Sequence, residues 1–186
     1  IDAFAEVPQV CRHLHIPLQS GDDATLGDMN RYYDTAWFAR LLGRIRKRMP
    51  DAAISTDVIT GFPTESDERF ENTVRFCREM DFCKIHVFPF SARVGTPAAT
   101  LADGVGPARR KERTARLIAL SDEGAQRWAL RHVGDVVSVL AEPKDASTGL
   151  YSGLTGNAVR VHWPSSDSLV GRIASVRISE ARGGDA

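Results

Sequence analysis

The first half of the sequence alternates short apolar runs with amphipathic segments, and this alternation limits the fold more than any other feature. An apolar run at residues 13–18 precedes a segment at 35–49 in which hydrophobic residues recur at helical spacing. A second apolar run at 52–60 precedes a segment that starts with Ser66, a good helix cap, and acidic residues. A third apolar run covers 84–90. This order predicts parallel βαβ units, with functional groups beyond the carboxyl ends of the strands.

The length of the chain limits how much of such a fold it holds. A complete eightfold β/α barrel needs about 250 residues, and this chain has 186. The parallel part is therefore expected to be a partial β/α barrel over residues 1–107. The longest predicted helix follows at 108–132. Because residues 107–132 carry 7 basic and 3 acidic side chains, this segment is interpreted as a basic linker helix.

The last third of the sequence changes to period-two alternation with β-branched residues. Short runs of this kind, separated by Gly, Pro, Asn and Ser, are typical of small antiparallel β-barrels. Such a barrel is predicted over residues 133–182, with a frayed tail at 183–186. The predicted strands cover residues 136–140, 158–162, 169–173 and 175–178.

Charge and cysteine content exclude several classes of protein. The 24 Lys and Arg residues balance 24 Asp and Glu residues, which argues against a wholly basic nucleic-acid binder. The three cysteines, Cys11, Cys77 and Cys83, have neither the spacing of a disulfide framework nor that of a zinc motif. We therefore expect buried structural thiols and a cytoplasmic location. No apolar run is long enough to span a membrane, so we expect no membrane partner. We also expect a monomer.

Three motifs follow the three predicted parallel strands. They are His15-Ile16-Pro17-Leu18-Gln19-Ser20-Gly21, Thr56-Asp57-Val58-Ile59-Thr60-Gly61-Phe62-Pro63, and His86-Val87-Phe88-Pro89-Phe90-Ser91 followed by Arg93-Val94-Gly95-Thr96-Pro97. Each motif alone indicates only a turn. In this order, and with Met29-Asn30-Arg31 between the first two, they resemble the C-terminal half of the radical S-adenosylmethionine methylthiotransferases. The third motif is most similar to the branch that modifies threonylcarbamoyladenosine in tRNA, and residues 153–161 resemble the family's TRAM domain.

The resemblance implies the family's fold and chemistry. It implies a partial, TIM-like β/α barrel followed by an OB-like TRAM barrel, in a transferase that installs a methylthio group by means of S-adenosylmethionine and 4Fe-4S clusters. The family's Cys-x-x-x-Cys-x-x-Cys run does not occur in this sequence, which also begins without Met. We therefore expect an N-terminal half of the same protein to hold the clusters. We predict no catalytic residue and no metal ligand here, and no activity of the chain alone.

The resemblance also implies contacts to S-adenosylmethionine after each strand. The first motif would supply polar contacts to the ribose or amino-acid part, the second an apolar contact to adenine, and the third would close the adenine pocket. Turn caps and simple core residues are the alternative interpretation. Three histidines, His13, His15 and His86, are interpreted as hydrogen-bonded core or cleft groups rather than metal ligands. The candidate cofactor contacts are Gln19, Ser20, Gly21, Asp57, Ile59, Gly61, Val87 and Phe88.

The expected partner is tRNA, whose phosphates attract basic side chains. A solvated helix face is the alternative interpretation of the basic segment. Besides an enzyme fragment, the sequence leaves open a tRNA-binding module without catalysis, and the sister branches that act on isopentenyladenosine or on a ribosomal-protein aspartate. The candidate RNA contacts are Arg93, Arg109, Arg110, Arg113, Asn157 and Arg160.

Overall fold

A computed structural model of the protein describes residues 1–185, and its strands form one parallel and two antiparallel sheets. The parallel sheet has the order β1-β2-β3, and the antiparallel sheets pair β4 with β7 and β5 with β6. The fold class predicted from the alternation, a parallel α/β part followed by antiparallel strands, is confirmed. The strands are β1 (His13–His15), β2 (Ala53–Thr60), β3 (Lys84–Pro89), β4 (Val136–Leu140), β5 (Tyr151–Leu154), β6 (Arg160–Trp163) and β7 (Ile173–Arg177).

The described residues form five α-helices, and side-chain caps begin two of the longer ones: Ser66, which was predicted, and Asp34, which was not. Asp34 Oδ1 accepts a hydrogen bond from the Trp37 amide at 2.6 Å, and Ser66 Oγ accepts one from the Arg69 amide at 3.2 Å. Both caps satisfy amides that a helix start leaves without partners. The helices are α1 (Asp2–Glu6), α2 (Asp23–Asp28), α3 (Thr35–Arg48), α4 (Asp67–Met80) and α5 (Pro107–Leu130), with a 3-10 helix at Pro97–Thr100.

The helices cover mainly one face of the parallel sheet; on the other face, Ala53 packs with Trp128 and the small C-terminal region. Strand β2 is central, and Val58 pairs with Val87 across the β2–β3 ladder. Residues that pair in this way share a face, and successive residues alternate between faces. The core beneath the covered face contains Leu18, Phe38, Leu42, Ile45, Ile54, Val58, Phe70, Ile85 and Leu117.

Helix α5 packs on the parallel sheet instead of standing apart as a linker. Its Ser121 Oγ accepts a hydrogen bond from the Ile85 amide at 2.9 Å. A Cβ added at Gly124 would lie 2.4 Å from the Phe82 carbonyl oxygen, so the helix approaches the start of β3 closely. At its far end, Trp128 Nε1 donates to the Asn157 carbonyl at 3.0 Å. The helix therefore joins the packing of both parts of the chain.

The small C-terminal region differs from the predicted strand pattern. An isolated bridge between Val139 and Thr155 links its two sheets, and a core that includes the stacked rings of Tyr151 and Trp163, 5.9 Å apart, lies between them. Strand β5 was not predicted, because Gly153 interrupts its β-branched pattern. The predicted strands at 169–173 and 175–178 are replaced by β7. Among the described residues, no helix has the length and apolarity needed to cross a membrane.

Candidate functional site

The face of the parallel sheet that the helices leave open carries polar and exposed side chains. Asp57 on β2 pairs with His86 on β3, and Ile59 pairs with Phe88 two residues further along. On β1, His15 pairs with Ser55. Because the side chains of paired residues project to the same side, all of these groups lie on the open face, and Ile59 and Phe88 are the ones nearest the carboxyl ends of their strands.

A chain of hydrogen bonds crosses this face. His13 Nε2 and Ser55 Oγ are 2.9 Å apart, His15 Nδ1 and Ser55 Oγ are 3.0 Å apart, and His15 Nε2 lies 3.2 Å from Asp57 Oδ2. The carboxylate of Asp57 can only accept, so the neutral form of His15 would carry its proton on Nε2 and accept from the Ser55 hydroxyl through Nδ1. Ser55 Oγ then accepts from His13 Nε2. His13 and His15 are therefore hydrogen-bonded, as predicted, whereas His86 contacts the cluster through its ring.

Burial and neighbouring charge affect the pKa of one histidine in this cluster. The pKa of His13 is lowered by burial and by the adjacent His15 and His86 rings. The His15 and His86 rings meet edge to face, 5.4 Å apart. Within residues 1–185, no three His, Cys, Asp or Glu side chains are grouped so that they could hold a metal ion. The hydrogen-bonding groups of His13, His15 and Asp57 suit the cluster to a polar ligand.

The part of the open face at the carboxyl ends of β2 and β3 is apolar. Phe88 is 52% exposed, and it pairs with the half-buried Ile59 in the strand register. Just beyond, the rings of Phe62 and Phe90 meet at 5.3 Å. An exposed phenyl ring beside an aliphatic side chain offers a flat surface to an aromatic ligand. The structure thus brings together three predicted contacts, Asp57, Ile59 and Phe88.

Three other predicted cofactor contacts face away from this cleft. Val87 lies between His86 and Phe88 on an alternating strand, so it packs on the helix-covered core. Ser20 is fully buried, and its Oγ is 3.2 Å from Thr73 Oγ1 on α4. A Cβ at Gly21 would lie 2.8 Å from Thr73 Cα. Ser20 and Gly21 therefore attach their turn to α4, which corrects their predicted role and that of Val87.

Two predicted positions shape the backbone at the cleft. Gln19 has φ 71 and continues the sheet: its amide donates to the Asp57 carbonyl at 2.8 Å, and its carbonyl accepts from Ile59 at 2.9 Å. Gly61 has φ 70, which a glycine adopts without strain. Its amide donates to Glu65 Oε2 at 2.8 Å. Gln19 thus borders the open face, whereas Gly61 is buried in the next loop.

Arg113, a predicted RNA contact, instead forms a buried ion pair. Its Nη1 lies 2.6 Å from Glu65 Oε2, and the two side chains are 2% and 1% exposed. Its Nη2 contacts Asp67 at 2.7 Å. Burial raises the pKa of Glu65, against the opposing effect of hydrogen bonds from Gly61 and Arg113. The sequence held a signal for this role, because Arg113 lies one helical turn before the buried Leu117.

The other predicted RNA contacts remain partly or fully accessible. Arg93 is exposed on the loop after β3, and Arg109 is half exposed and 3.3 Å from Asp67. Arg110 is largely covered and is 2.8 Å from Asp103. In the small region, Arg160 lies 2.8 Å from Glu142, and the Asn157 side chain contacts Thr155 and His132. These pairs are mostly exposed, where ion pairs contribute little to stability.

The cysteines do not fit an iron–sulfur cluster. Cys77 lies within the helix-side core, and burial raises its pKa to about 12. Burial also raises the pKa of Cys83 to about 11. Cluster ligation needs several thiolates at one site, whereas Cys77 and Cys83 pack in two different core clusters. Cys11 is exposed, which corrects the expectation that all three are buried.

Comparison with known proteins agrees with this geometry. A family model described as the radical SAM superfamily matches residues 1–77. The threonylcarbamoyladenosine tRNA methylthiotransferase MtaB of Bacillus subtilis (strain 168) is 37% identical over 184 residues, which cover 97% of this chain and 41% of that protein. A tRNA-2-methylthio-N(6)-dimethylallyladenosine synthase of Corynebacterium urealyticum is 41% identical over 187 residues, which cover 98% of this chain and 35% of that protein.

Among solved structures, the chain is similar to coproporphyrinogen III oxidase (HemN) from Escherichia coli, which is described as a radical SAM enzyme. The match has a TM-score of 0.51 and 16% identity, and it covers 91% of this chain and 41% of that structure. This likeness concerns the fold alone. The fold and the family model define the class, a radical SAM-type α/β fold. The particular family follows from the two relatives: the resemblance to radical S-adenosylmethionine methylthiotransferases is confirmed. The chain spans about two fifths of the length of the curated relatives it matches.

Proposed function

We propose that this chain supplies a cofactor cleft and an RNA-binding region to a tRNA methylthiotransferase that modifies threonylcarbamoyladenosine next to the anticodon. The observation that carries the proposal is the 37% identity to MtaB over 97% of the chain, which includes both the parallel and the antiparallel parts. Dimethylallyladenosine is the second candidate substrate, because the synthase from Corynebacterium urealyticum is 41% identical. A tRNA-binding role without chemistry by this chain alone also fits the lack of cluster ligands.

The open face fits the adenosyl part of S-adenosylmethionine. Ile59 and Phe88 offer an apolar surface for adenine, and Asp57 offers a carboxylate to hydroxyl or ammonium donors. When bound, S-adenosylmethionine supplies the methyl and adenosyl groups for this class of reaction. The 4Fe-4S clusters of the family do not fit the three cysteines here. We propose that their ligands lie outside this sequence.

The residues of this chain would bind and orient the cofactor. Ser55 fixes the His15 ring through Nδ1, and His15 in turn holds the Asp57 carboxylate through Nε2. Because these contacts hold the carboxylate in one orientation, it loses less conformational entropy when a ligand binds. Exclusion of water by Phe88 and Ile59 would strengthen each polar contact of the cleft.

We propose tRNA as the partner and the cytoplasm as the place of action. The accessible basic residues Arg93, Arg109 and Arg160 are the proposed phosphate contacts, with Arg110 in a supporting role at the loop that contains Gly61. Asn157 bonds to Thr155 and His132 and is proposed to shape the small region's RNA-facing loop. The charge of the whole chain is balanced, so recognition would rest on a few local contacts and on shape.

Titration calorimetry of the chain with S-adenosylmethionine tests the cleft. Phe88→Ala and Asp57→Asn are each expected to weaken binding roughly ten-fold, the effect of losing about 1.4 kcal/mol of contact. Val170→Ala, which changes a similarly exposed aliphatic residue in the small C-terminal region, serves as the matched control. Equal affinities for all four proteins, or the absence of binding by the unmodified chain, would refute the cleft.

A further inference from the structure

Tyr32 is a large aromatic residue with almost no cover. Its side chain is 95% exposed, and it lies in the turn between α2 and α3. Its neighbours Asn30 and Arg31 are exposed as well. A single exposed apolar side chain needs no explanation by itself. The surroundings of Tyr32, however, show how the turn is anchored and where it is placed.

The turn is held on both sides of Tyr32. The adjacent Tyr33 hydroxyl donates to the carbonyl oxygens of Pro17 and Leu18, at 3.2 and 3.0 Å, and its ring packs 5.8 Å from Trp37. On the other side, the Arg31 amide donates to the Leu26 carbonyl at 2.9 Å. These anchors fix the backbone so that Tyr33 points inward and Tyr32 points outward. An aromatic ring held on a fixed backbone loses little entropy when it binds.

The turn also borders the mouth of the cleft. The carbonyl oxygens of Pro17 and Leu18 accept the hydrogen bonds of Tyr33. These two residues lie just beyond the carboxyl end of β1. The end of α2 is tied to the loop after β2, because Asp28 Oδ2 accepts hydrogen bonds from Thr64 Oγ1 at 2.5 Å and from Arg69 Nη1 at 2.7 Å. The turn with Tyr32 therefore lies beside the loops that follow two strands of the open face.

We propose that Tyr32 stacks on an unpaired nucleobase of the RNA substrate, while Arg31 contacts the adjoining phosphate. This inference rests on the proposed function and adds a subsite to it. Proteins that recognise single-stranded RNA loops stack splayed bases on exposed aromatic rings. An enzyme that acts on a base must draw that base out of its stack, which leaves neighbouring bases without partners. A fixed aromatic ring at the mouth of the cleft is suited to receive such a neighbour.

Binding of two RNA probes by the chain tests this stacking. The first probe is an RNA stem-loop with an anticodon loop that contains adenosine after the anticodon, and the second is a fully paired duplex with the same number of nucleotides. Tyr32→Ala is expected to weaken stem-loop binding roughly ten-fold and to leave duplex binding unchanged. Tyr32→Phe, which keeps the ring, should bind like the unmodified chain. Phe4→Ala, which removes an exposed aromatic ring on α1, outside the proposed RNA contacts, is the control.

The outcomes separate the two proposals. Equal stem-loop affinity of Tyr32→Ala and the unmodified chain refutes the stacking while RNA binding stands. Equal weakening of the stem-loop and the duplex also refutes it, because a duplex offers no unpaired base. If the unmodified chain binds neither probe, the proposed RNA-binding function itself fails, and the subsite fails with it. Circular dichroism of each variant confirms that the exposed substitutions leave the fold intact.

Discussion

The two faces of the parallel sheet have different neighbours, although they alternate along the same strands. On the covered face, Val58 and Ile85 are 0% and 4% exposed beneath the helices. On the open face, Phe88 is 52% exposed and the histidine cluster contacts solvent. Adjacent residues of one strand thus serve either packing or the proposed cofactor binding. The difference teaches that the face to which a side chain projects, more than its residue type, separates residues that stabilise the fold from those proposed to bind a ligand.

The largest expected effect tests the buried pair on the covered side. Arg113→Met removes the partner of a carboxylate that is 1% exposed, and loss of one member of such a pair costs about 3–5 kcal/mol of unfolding free energy. Arg109→Met changes an exposed ion pair on the same helix and should cost at most about 1 kcal/mol. Urea denaturation of both variants measures the contrast. Similar stabilities would mean that Glu65 is solvated or protonated without cost.

A second pair of variants compares the two faces directly on β3. Ile85→Ala on the covered face should lower the free energy of unfolding by about 2–5 kcal/mol, because it leaves a cavity in the core. Phe88→Ala on the open face should change it by less than about 0.5 kcal/mol. Chemical denaturation followed by circular dichroism gives both values. A large loss of stability in Phe88→Ala would show that another element covers the open face.

Much of the fold was predictable because local signals and tertiary packing agree. The apolar runs gave β2 and β3 to within two residues, and the Ser66 cap and helical spacing gave α4. The turn between β1 and α3 was less predictable, because it forms a further short helix, α2, capped by Asp22. Strand β5 was missed for a similar reason. A Cβ at Gly153 would lie 2.1 Å from the Leu140 carbonyl oxygen, so this position requires glycine. That neighbour is distant in sequence.

The candidate site was predictable only in part. The resemblance gave the correct strand ends, and Asp57, Ile59 and Phe88 do share one face. Strand alternation alone excludes Val87 from that face when Phe88 is on it, so this error was avoidable. The role of Gly21 was not predictable, because the need for glycine comes from Thr73 on α4, far along the chain. Local spacing cannot show such a contact.

The smallest expected effect concerns the electrostatics of the open face. The pKa of His13 lies below its ordinary value of 6.5 because of burial and of the rings of His15 and His86. The charged groups around this face are Asp57, which contacts His15, the exposed Lys84, and Asp122, Arg160 and Asp185 from α5 and the small region. In the unfolded chain His13 regains its ordinary pKa, so the unfolded state binds the proton first as the pH falls.

The free energy of unfolding should therefore decrease as the pH falls through about 6.5, and this decrease should end once the pH is below the folded-state pKa of His13. Above this window His13 is neutral in both states and contributes no slope. His13→Gln keeps a donor for Ser55 but does not titrate, so it should flatten the profile between about pH 7.5 and 5. His162→Gln in the small region is the control. Urea denaturation at several pH values measures the slopes, and an unchanged slope in His13→Gln would mean that acid sensitivity arises elsewhere than on the open face.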